Sequence, residues 1–504
     1  MAKGGKITFY AGVNEIGGNK FLVEDNGTRI FLDFGMQMGK ANEYFAEFLN
    51  ARTLNGMGDL FEFGLLPRLT GLYRKDYSKH MEYAGWATDD HRKDNSVDAV
   101  LLTHAHVDHA AYIHYLRPEI PVYCSEATKL IMQGLQDTGS REEYITFKEN
   151  FQIYKNTRGE MSRGKGEEYQ QPRKIIVFED GKKFKIDSIE VEPLAVDHSL
   201  PGVTGFILHT SKGSIAYTAD IRFHGRRASD SQHFVEQCAK SDVDMLLCEG
   251  TRISETFSKT EFEVEQDVKS VVNKTNKLVV CSYPTRDLDR LLSFYNAAKE
   301  SERDLVIDLK QAYLLKLFQT SEHWKKVFPR PDDNRIKINI PRKSWGLIGK
   351  DVDYWTANQL MQDYDKWERE FLDYRNATNY QEVAAHQKDL IFYCSDYQLQ
   401  QLIDIRPDNG STYIRSLTEP FDDEMELQEG RIRRWLAHFG LISSEKDWTH
   451  AHVSGHGSGD QIKKVIEGVQ AKSLVPIHTE HPEYHKKWHS NTIEVAPERF
   501  LELT

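Results

Sequence analysis

Residues 103–109 read THAHVDH and follow directly on an apolar run at 97–102. The apolar run predicts a buried strand. A strand that ends in this way places its side chains at the carboxyl edge of a sheet, where α/β proteins build their sites. Imidazole and carboxylate ligands suit Zn²⁺ or Mn²⁺, and two groups of them this close suggest two metal ions. A histidine-rich surface turn is the alternative interpretation.

Composition limits the class of protein. The 504 residues, of which 39% are hydrophobic, are enough for two or three domains. The formal net charge of −12 means that any nucleic acid would have to bind in a local groove. The five cysteines are scattered without a CxxC pair, which is typical of reduced thiols in a cytoplasmic protein. We expect neither a signal peptide nor a membrane span.

Short strands are predicted where apolar runs are bounded by turn residues. They lie at 7–10, 20–24, 29–33, 174–178, 189–193, 205–209, 214–218 and 245–248. Residues 36–96 are predicted to be an irregular insertion before the strand that carries the histidines. Beyond residue 261, strand candidates at 277–281 and 305–309 alternate with helical stretches such as 287–299. This alternation favours an α/β domain with a parallel sheet.

The later part of the chain follows the same alternation. Residues 320–388 are predicted to be mostly helical, 390–394 to form a strand and 424–439 a helix. After about residue 440 the pattern returns to strand, loop and helix.

Three further residues at predicted strand ends or in loops complete a set of ligands. The first ion is predicted to bind the two histidines of the HxH pair and His198, and the second to bind the following DH pair and His478. Asp220 can bridge the two ions because each carboxylate oxygen has a free lone pair. The seven predicted metal ligands are His104, His106, Asp108, His109, His198, Asp220 and His478.

This series of ligands resembles the metallo-β-lactamase fold. Three further segments resemble its β-CASP subfamily, the nucleases that include ribonuclease J and the mRNA 3′-end cleavage subunit. LLCEGTR at 246–252 is similar to motif A, HVSGHG at 452–457 to motif B, and His478 to motif C. NEIGGN at 14–19 and FLDFG at 31–35 match the family's opening strands.

The resemblance implies an α/β metallo-β-lactamase αββα sandwich with an inserted β-CASP α/β domain. The implied boundaries are 1–258 for the first part of the metallo-β-lactamase domain, 259–438 for the β-CASP domain and 439–504 for the return. The long insertion at 36–96 departs from ribonuclease J. Because 26 residues follow His478, we expect the C-terminal domain of that enzyme to be absent. We also expect no N-terminal RNA-binding extension of the kind that the archaeal 3′-end factors carry.

The implied activity is that of a hydrolase, a zinc-dependent ribonuclease acting as a 5′-to-3′ exonuclease, an endonuclease or both in RNA processing or decay. Its cofactors would be two Zn²⁺ ions, with Mn²⁺ as the alternative, and its substrate single-stranded RNA; a homodimer is left open. The implied catalytic residues are Asp108, Glu249 and His456. His456 is the candidate general acid, and Glu249 would hold it in the right tautomer. The alternatives are a metal ligand or structural histidine at 456 and a helix-cap or ion-pair carboxylate at 249.

Several residues are candidates for binding substrate phosphate. His452 and Ser454 precede the candidate acid on the same face of an extended segment, as the resembling residues do in ribonuclease J. Ser282, Thr285 and Arg286 follow a predicted strand, where helix-start amides and a guanidinium suit phosphate. An ordinary helix cap is the alternative for these three. Asp33 is expected to accept a hydrogen bond that orients a ligand loop.

Three other functions fit the sequence less well. A DNA nuclease of the same fold is the first alternative, although a histidine at motif C accompanies the RNA-acting members of the family. A non-catalytic RNA-processing subunit is the second, but such paralogues usually lose ligands from HxHxDH. A small-molecule hydrolase is the third, and the insert with motifs A to C argues against it.

Overall fold

A computed structural model gives the architecture of most of the chain. It describes residues 5–46, 48–52, 55–78, 97–148, 153–155, 157–163, 170–256, 259–344, 346, 359, 361–420, 423–443 and 448–503. No helix among these residues has the length and apolar character needed to span a bilayer.

The described strands are numbered in chain order. The first twelve are β1 (Lys6–Ala11), β2 (Lys20–Asp25), β3 (Thr28–Leu32), β4 (Ala99–Leu101), β5 (Val122–Cys124), β6 (Thr146–Lys148), β7 (Ile153–Lys155), β8 (Met161–Arg163), β9 (Gln170–Pro172), β10 (Ile175–Val177), β11 (Phe184–Ile186) and β12 (Ile189–Ala195). The others are β13 (Thr204–Thr210), β14 (Gly213–Tyr217), β15 (Met245–Cys248), β16 (Val279–Ser282), β17 (Asp304–Ile307), β18 (Ile336–Asn339), β19 (Ala377–Thr378), β20 (Leu390–Tyr393), β21 (Thr412–Arg415), β22 (Thr449–His450), β23 (Ser473–Pro476) and β24 (Arg499–Glu502).

The described α-helices are numbered in the same way. They are α1 (Met38–Tyr44), α2 (Gly58–Glu62), α3 (Lys75–Ser78), α4 (Val107–Ala110), α5 (Glu126–Asp137), α6 (Ala228–Lys240), α7 (Glu261–Lys274), α8 (Leu288–Glu300), α9 (Leu309–Phe318), α10 (Lys366–Arg369), α11 (Tyr380–Ala385), α12 (Gln401–Ile405), α13 (Asp423–His438), α14 (Gly459–Val469) and α15 (Pro482–Trp488). Short 3-10 turns lie at Ala111–Tyr115, Trp324–Lys326 and Gln387–Asp389.

Two sheets pack face to face. The first has the order β10-β5-β4-β3-β2-β1-β24 and the second β11-β12-β13-β14-β15-β23. Phe21 and Val23 of β2 belong to the core shared by the two sheets, whereas Leu22 between them packs into the core on the other face. Burial on both faces explains the uninterrupted apolar run at 21–23 of β2. The predicted metallo-β-lactamase sandwich is therefore present.

The third sheet has the order β19-β18-β17-β20-β16-β21-β22, and all its neighbouring strands are parallel. Helices enter from well-capped ends: at α7, Thr260 and Glu263 form a reciprocal capping box, and at α8 the Asp287 side chain accepts from the Arg290 amide. The predicted parallel α/β domain is therefore observed. Because β22 joins this sheet, the sheet extends past 438, and the domain boundaries stay predictions.

Two segments differ from the sequence prediction. In the described part of 320–388, strands β18 and β19 and long irregular stretches accompany only short helices, so the mostly helical prediction is wrong there; most of 345–360 lies outside the described residues. Strands β18 and β19 of this segment form one edge of the parallel sheet. The insertion predicted to be irregular contains α1, α2 and α3, and 79–96 lies outside the described residues.

Candidate metal site and its acid–base pair

The predicted ligands meet at one edge of the sandwich. His104 and His106 follow β4, and α4 carries Asp108 and His109. The other three follow β12, β14 and β23, at the carboxyl ends of these strands, and are His198, Asp220 and His478. Residues up to 374 positions apart in sequence are thus brought together because neighbouring strands end at the same edge.

Three histidines turn nitrogen atoms toward one point. His104 Nε2 lies 2.9 Å from His106 Nδ1, which in turn lies 3.2 Å from His198 Nε2. Asp220 Oδ2 lies 3.5 Å from His104 Nε2 and 3.6 Å from His198 Nε2. Burial, together with the neighbouring imidazoles, lowers the pKa of all three histidines. They are therefore neutral imidazoles with converging lone pairs, the form in which histidine binds a metal.

A second group of candidate ligands lies against the same carboxylate. His478 Nε2 lies 3.2 Å from Asp108 Oδ2 and 3.7 Å from Asp220 Oδ1. His109 Nε2 lies 3.7 Å from Asp108 Oδ2 and 3.3 Å from Asp220 Oδ2. Asp220 is thus shared by the two clusters, as a bridging carboxylate would be.

The residues fit a pair of cations. Among the described residues, His109 Nε2 and Asp220 Oδ1 are buried without a hydrogen-bond partner. A buried polar atom without a partner costs about 1–3 kcal/mol, and here both atoms point into ligand clusters. The imidazole and carboxylate set suits Zn²⁺ or Mn²⁺.

Asp33 holds the loop at 103–109 through hydrogen bonds. Its carboxylate accepts from the Thr103 amide at 2.8 Å, from the Tyr217 hydroxyl at 2.6 Å and from His109 Nδ1 at 2.8 Å. The bond to Nδ1 leaves the Nε2 lone pair of His109 directed at the cluster. The role predicted for Asp33 fits these contacts. Tyr217 and Asn19, which donates to the Tyr217 hydroxyl at 2.8 Å, were missed because nothing in the sequence pairs them with residue 33.

The backbone is left-handed at three points of the site. The φ angles are +56° at Asp33, +54° at Ala219 and +50° at His478. Such conformations cost roughly 1–3 kcal/mol for residues other than glycine and persist where the surroundings impose them. The His478 amide, for example, donates to the Gly12 carbonyl at 2.8 Å. Each sharp turn directs a ligand or its anchor into the site.

His456 and Glu249 form a pair beside the metal ligands. His456 Nδ1 lies 3.1 Å from Glu249 Oε2, and its Nε2 lies 4.0 Å from Asp220 Oδ2. Burial lowers the pKa of His456, but Glu249 and Asp220 outweigh it and raise the pKa to about 9. Because His456, Asp220 and His478 also converge, a ligand role for His456 remains the alternative to the acid role.

The motif B loop is held by buried polar contacts. His198 Nδ1 donates to the Gly455 carbonyl at 2.5 Å. A Cβ at Gly455 would lie 2.7 Å from His198 Cε1, so this close approach requires glycine. Arg290, which is fully buried, donates to the Val453 carbonyl and to His452 Nδ1. These anchors, which the sequence prediction missed, connect the loop to the third sheet's helices.

A cavity opens next to the His456 side chain. Its volume is about 320 Å³, and it is lined by His452, Ser454 and His456, and further out by Arg252 and Lys259. The Ser454 hydroxyl accepts from the His456 amide at 3.0 Å. The two phosphate-binding candidates therefore do lie beside the candidate acid.

Of the other three phosphate-binding candidates, one lies at the metal site and two lie within the third sheet. Arg286 lies at the site, with Nη1 3.5 Å from the Ala105 carbonyl oxygen. Ser282 is buried and donates to Asp396, and the Thr285 hydroxyl lies 2.9 Å from that of Tyr393. These two hydroxyls are engaged within the third sheet, and no described contact joins them to the metal ligands.

Known proteins share this architecture. The "Beta-lactamase superfamily domain" profile matches residues 84–277. Ribonuclease J of Mycoplasma genitalium is 19% identical over 94% of this chain and 68% of its own length. Ribonuclease J of Mycolicibacterium smegmatis is 23% identical over 59% of this chain and 43% of its own length. The alignments thus leave about a third of the first relative and more than half of the second unmatched.

One solved structure covers the whole fold. The crystal structure of a protein of unknown function from Enterococcus faecalis V583 superposes with a TM-score of 0.70 at 21% identity, covering 99% of this chain and 100% of that one. That likeness shows the fold. Residues 84–277 thus match the beta-lactamase superfamily domain, and the sheet order and the ribonuclease J relatives together support a metallo-β-lactamase, β-CASP ribonuclease J-like protein.

Proposed function

We propose that this chain is a metal-dependent ribonuclease that hydrolyses RNA phosphodiester bonds. The observation that carries the proposal is the pair of ligand clusters, each with a histidine within 3.7 Å of Asp220. His456, which is paired with Glu249, has its Nε2 4.0 Å from Asp220 Oδ2. Curated relatives with the name ribonuclease J support the choice of RNA. The five cysteines are buried and free, which suits a cytoplasmic enzyme.

Two Zn²⁺ ions held by the seven ligands would activate water and neutralise charge on the phosphoryl oxygens; Mn²⁺ is the alternative metal. The chain itself supplies the proton. His456 Nε2 faces the ligand clusters while its Nδ1 is held by Glu249, so Nε2 is the atom placed to protonate the leaving oxygen. Asp108 belongs to the catalytic group because its carboxylate faces the same point as His478 and His109.

The mode of attack is proposed to start from a 5′ end. His452 and Ser454 line the cavity beside His456, where they can hold the phosphate next to the scissile one. A pocket closed around a terminal phosphate would bind a 5′-monophosphate through charge-assisted hydrogen bonds and would be too small for a triphosphate. Single-stranded RNA with a 5′-monophosphate is therefore the proposed preferred substrate, degraded to 5′-mononucleotides.

The test compares 5′-monophosphorylated, 5′-triphosphorylated and circular RNAs of one sequence, with a matched DNA, and resolves products by length over time. The proposal expects early mononucleotides from the monophosphorylated RNA alone. The His452→Ala, Ser454→Ala double variant should lose this mode more than any internal cutting. Equal decay of circular and monophosphorylated RNA, without early mononucleotides, would show a purely endonucleolytic enzyme, and preferential DNA cleavage would overturn the choice of RNA.

A further inference from the structure

One hydroxyl connects the two functional halves of the site. Thr251 Oγ1 lies 2.8 Å from His478 Nδ1 and 2.8 Å from Glu249 Oε2. Glu249 Oε2 in turn lies 3.1 Å from His456 Nδ1. Thr251 therefore stands between a candidate metal ligand and the carboxylate that holds the candidate acid.

The direction of these hydrogen bonds follows from the groups themselves. His478 Nε2 points at Asp108 and Asp220, so its lone pair is the one offered to a metal and Nδ1 carries the ring proton. Among the described residues, the acceptor for that proton is the Thr251 oxygen at 2.8 Å. A hydroxyl has one proton of its own to give, and the nearest acceptor for it is Glu249 Oε2.

The Glu249 carboxylate accepts four hydrogen bonds when Thr251 Oγ1 donates to it. Besides Thr251 Oγ1, the carboxylate accepts from the Thr251 amide at 3.1 Å, from the Ile221 amide at 2.8 Å and from His456 Nδ1. It is fully buried. Losing one donor would leave this buried charge less well satisfied and free to rotate away from His456.

The backbone keeps Thr251 in place. His485 Nε2 lies 3.3 Å from the Glu249 carbonyl oxygen, and the Thr479 hydroxyl donates to the Gly250 carbonyl at 2.8 Å. A Cβ at Gly250 would lie 2.6 Å from His485 Cε1, so the turn between Glu249 and Thr251 is closed around glycine. The hydroxyl therefore has a fixed position before any metal or substrate binds.

We infer that Thr251 is a positioning residue that fixes the Nδ1–H tautomer of His478 and the orientation of Glu249, and so couples metal affinity to proton donation by His456. The metal half of this inference stands on the ligand geometry, and the proton half rests on the proposed nuclease function. A hydrogen bond to the far nitrogen of a ligating histidine orients the ring, and its loss typically costs about 10–100-fold in metal affinity or activity.

The experiment replaces the hydroxyl and nothing else. Thr251→Val keeps the shape, Thr251→Ser keeps the hydroxyl, and Thr128→Val removes a buried hydroxyl whose described side-chain partner is Ser125, away from the site. On metal-stripped full-length protein, Zn²⁺ and Mn²⁺ affinity is measured by titration calorimetry. We expect Thr251→Val to bind about 10–100-fold more weakly, with affinity restored in Thr251→Ser and unchanged in Thr128→Val. Wild-type affinity in Thr251→Val, or equal losses in the Val and Ser variants, overturns the inference.

The coupling to His456 has its own measurement. Single-turnover RNA cleavage is followed at saturating metal in the wild-type and His456→Ala backgrounds. Thr251→Val should slow cleavage about 10-fold or more with His456 present and have little further effect without it, whereas equal slowing in both backgrounds contradicts the coupling. If Thr251→Val does not fold, as judged by thermal melting without metal, Thr251→Ala takes its place. A wild-type protein that binds metal but cleaves no RNA defeats the proposed function while leaving the affinity test intact.

Discussion

At the residue scale, histidines a few ångströms apart differ in charge because they face different neighbours. Burial lowers the pKa of His106 to about 3, whereas Glu249 and Asp220 overcome burial and raise the pKa of His456 to about 9. The site thus separates the neutral imidazoles of His104, His106 and His198, able to bind a cation, from His456, whose raised pKa favours the form able to donate a proton. Residue type alone does not make this division.

Replacing His456 tests the division. We expect His456→Ala to keep metal content near wild type and to lower RNA cleavage by about 10²-fold or more, because a positioned general acid contributes about 10²–10⁴-fold. Elemental analysis and single-turnover cleavage measure the two effects. His481→Ala, at an exposed histidine paired with Glu483, is the control and should change neither. Loss of a metal ion in His456→Ala would instead make His456 a ligand.

At the scale of elements, α7 and α8 are joined by a buried ion pair under the motif B loop. Glu261 accepts from Arg290 Nε at 2.7 Å and Nη2 at 3.0 Å, and neither side chain is more than 2% exposed. Arg290 extends from this pair to the Val453 carbonyl. The helices of the third sheet thereby set the position of a loop that belongs to the metal site.

Removing one partner should be costly. Glu261→Gln leaves Arg290 as a buried charge without its carboxylate, for which about 3–5 kcal/mol of destabilisation is expected. Urea unfolding measures it, and Glu300→Gln, which removes the exposed partner of Lys269, should have a much smaller effect. Burial raises the pKa of Glu261, but the larger effect of Arg290 is to lower it, so the net shift is downward. The contribution of the ion pair to stability is therefore present above about pH 4.5 and is lost as the pH falls below that value. Equal losses in the two variants would contradict this account.

Helix α15 supplies a pH dependence of its own. Burial lowers the pKa of His485 to about 4, although the Glu249 and Cys248 carbonyls oppose the shift. The folded state therefore binds fewer protons than the unfolded state between about pH 6.5 and 4, and stability falls as the pH falls through this window. The loss attributable to His485 is about 3 kcal/mol.

His485→Gln separates this contribution from that of other groups. The amide of glutamine can still donate to the Glu249 carbonyl but does not titrate. Unfolding free energies of metal-stripped wild type and His485→Gln, measured from pH 7 to 4, should converge as the pH falls. Parallel curves would assign the acid sensitivity to other residues.

At the scale of the whole molecule, the two sheets of the sandwich bring their strand ends to one edge while the third sheet's helices close over it. Seven candidate ligands from four separate segments, 104–109, 198, 220 and 478, converge there. Ligands so scattered along the chain come together only in the folded protein, so metal binding and folding are linked.

We therefore expect two metal ions per chain, about 3.5–4 Å apart, and a melting temperature that rises with metal concentration. Elemental analysis, anomalous diffraction and thermal melting with and without chelator measure these. Asp220→Asn should reduce the metal content, because histidines of both clusters lie within 3.7 Å of its carboxylate. Well under one ion per chain after purification with excess metal would count heavily against the site.

The sequence by itself determined the strands that precede the candidate ligands, and its resemblance to a known family predicted the sandwich with its parallel-sheet insert. The assignment of the seven metal ligands, His456 and Glu249 stays a prediction, although the structure brings these residues together. The strands and the HxHxDH spacing are readable within a few residues because apolar runs and turn residues are local patterns. Only the tertiary structure decided what holds these groups. Tyr217 reaches Asp33 across 184 positions, and Thr251 reaches His478 across 227. Such hydrogen bonds leave no local pattern, because each partner is an ordinary residue until the sheets bring the two together. The composition of 320–388 favoured helices, but the segment contains strands β18 and β19 and irregular stretches. Pairing of these strands with the third sheet is a tertiary contact that composition does not show.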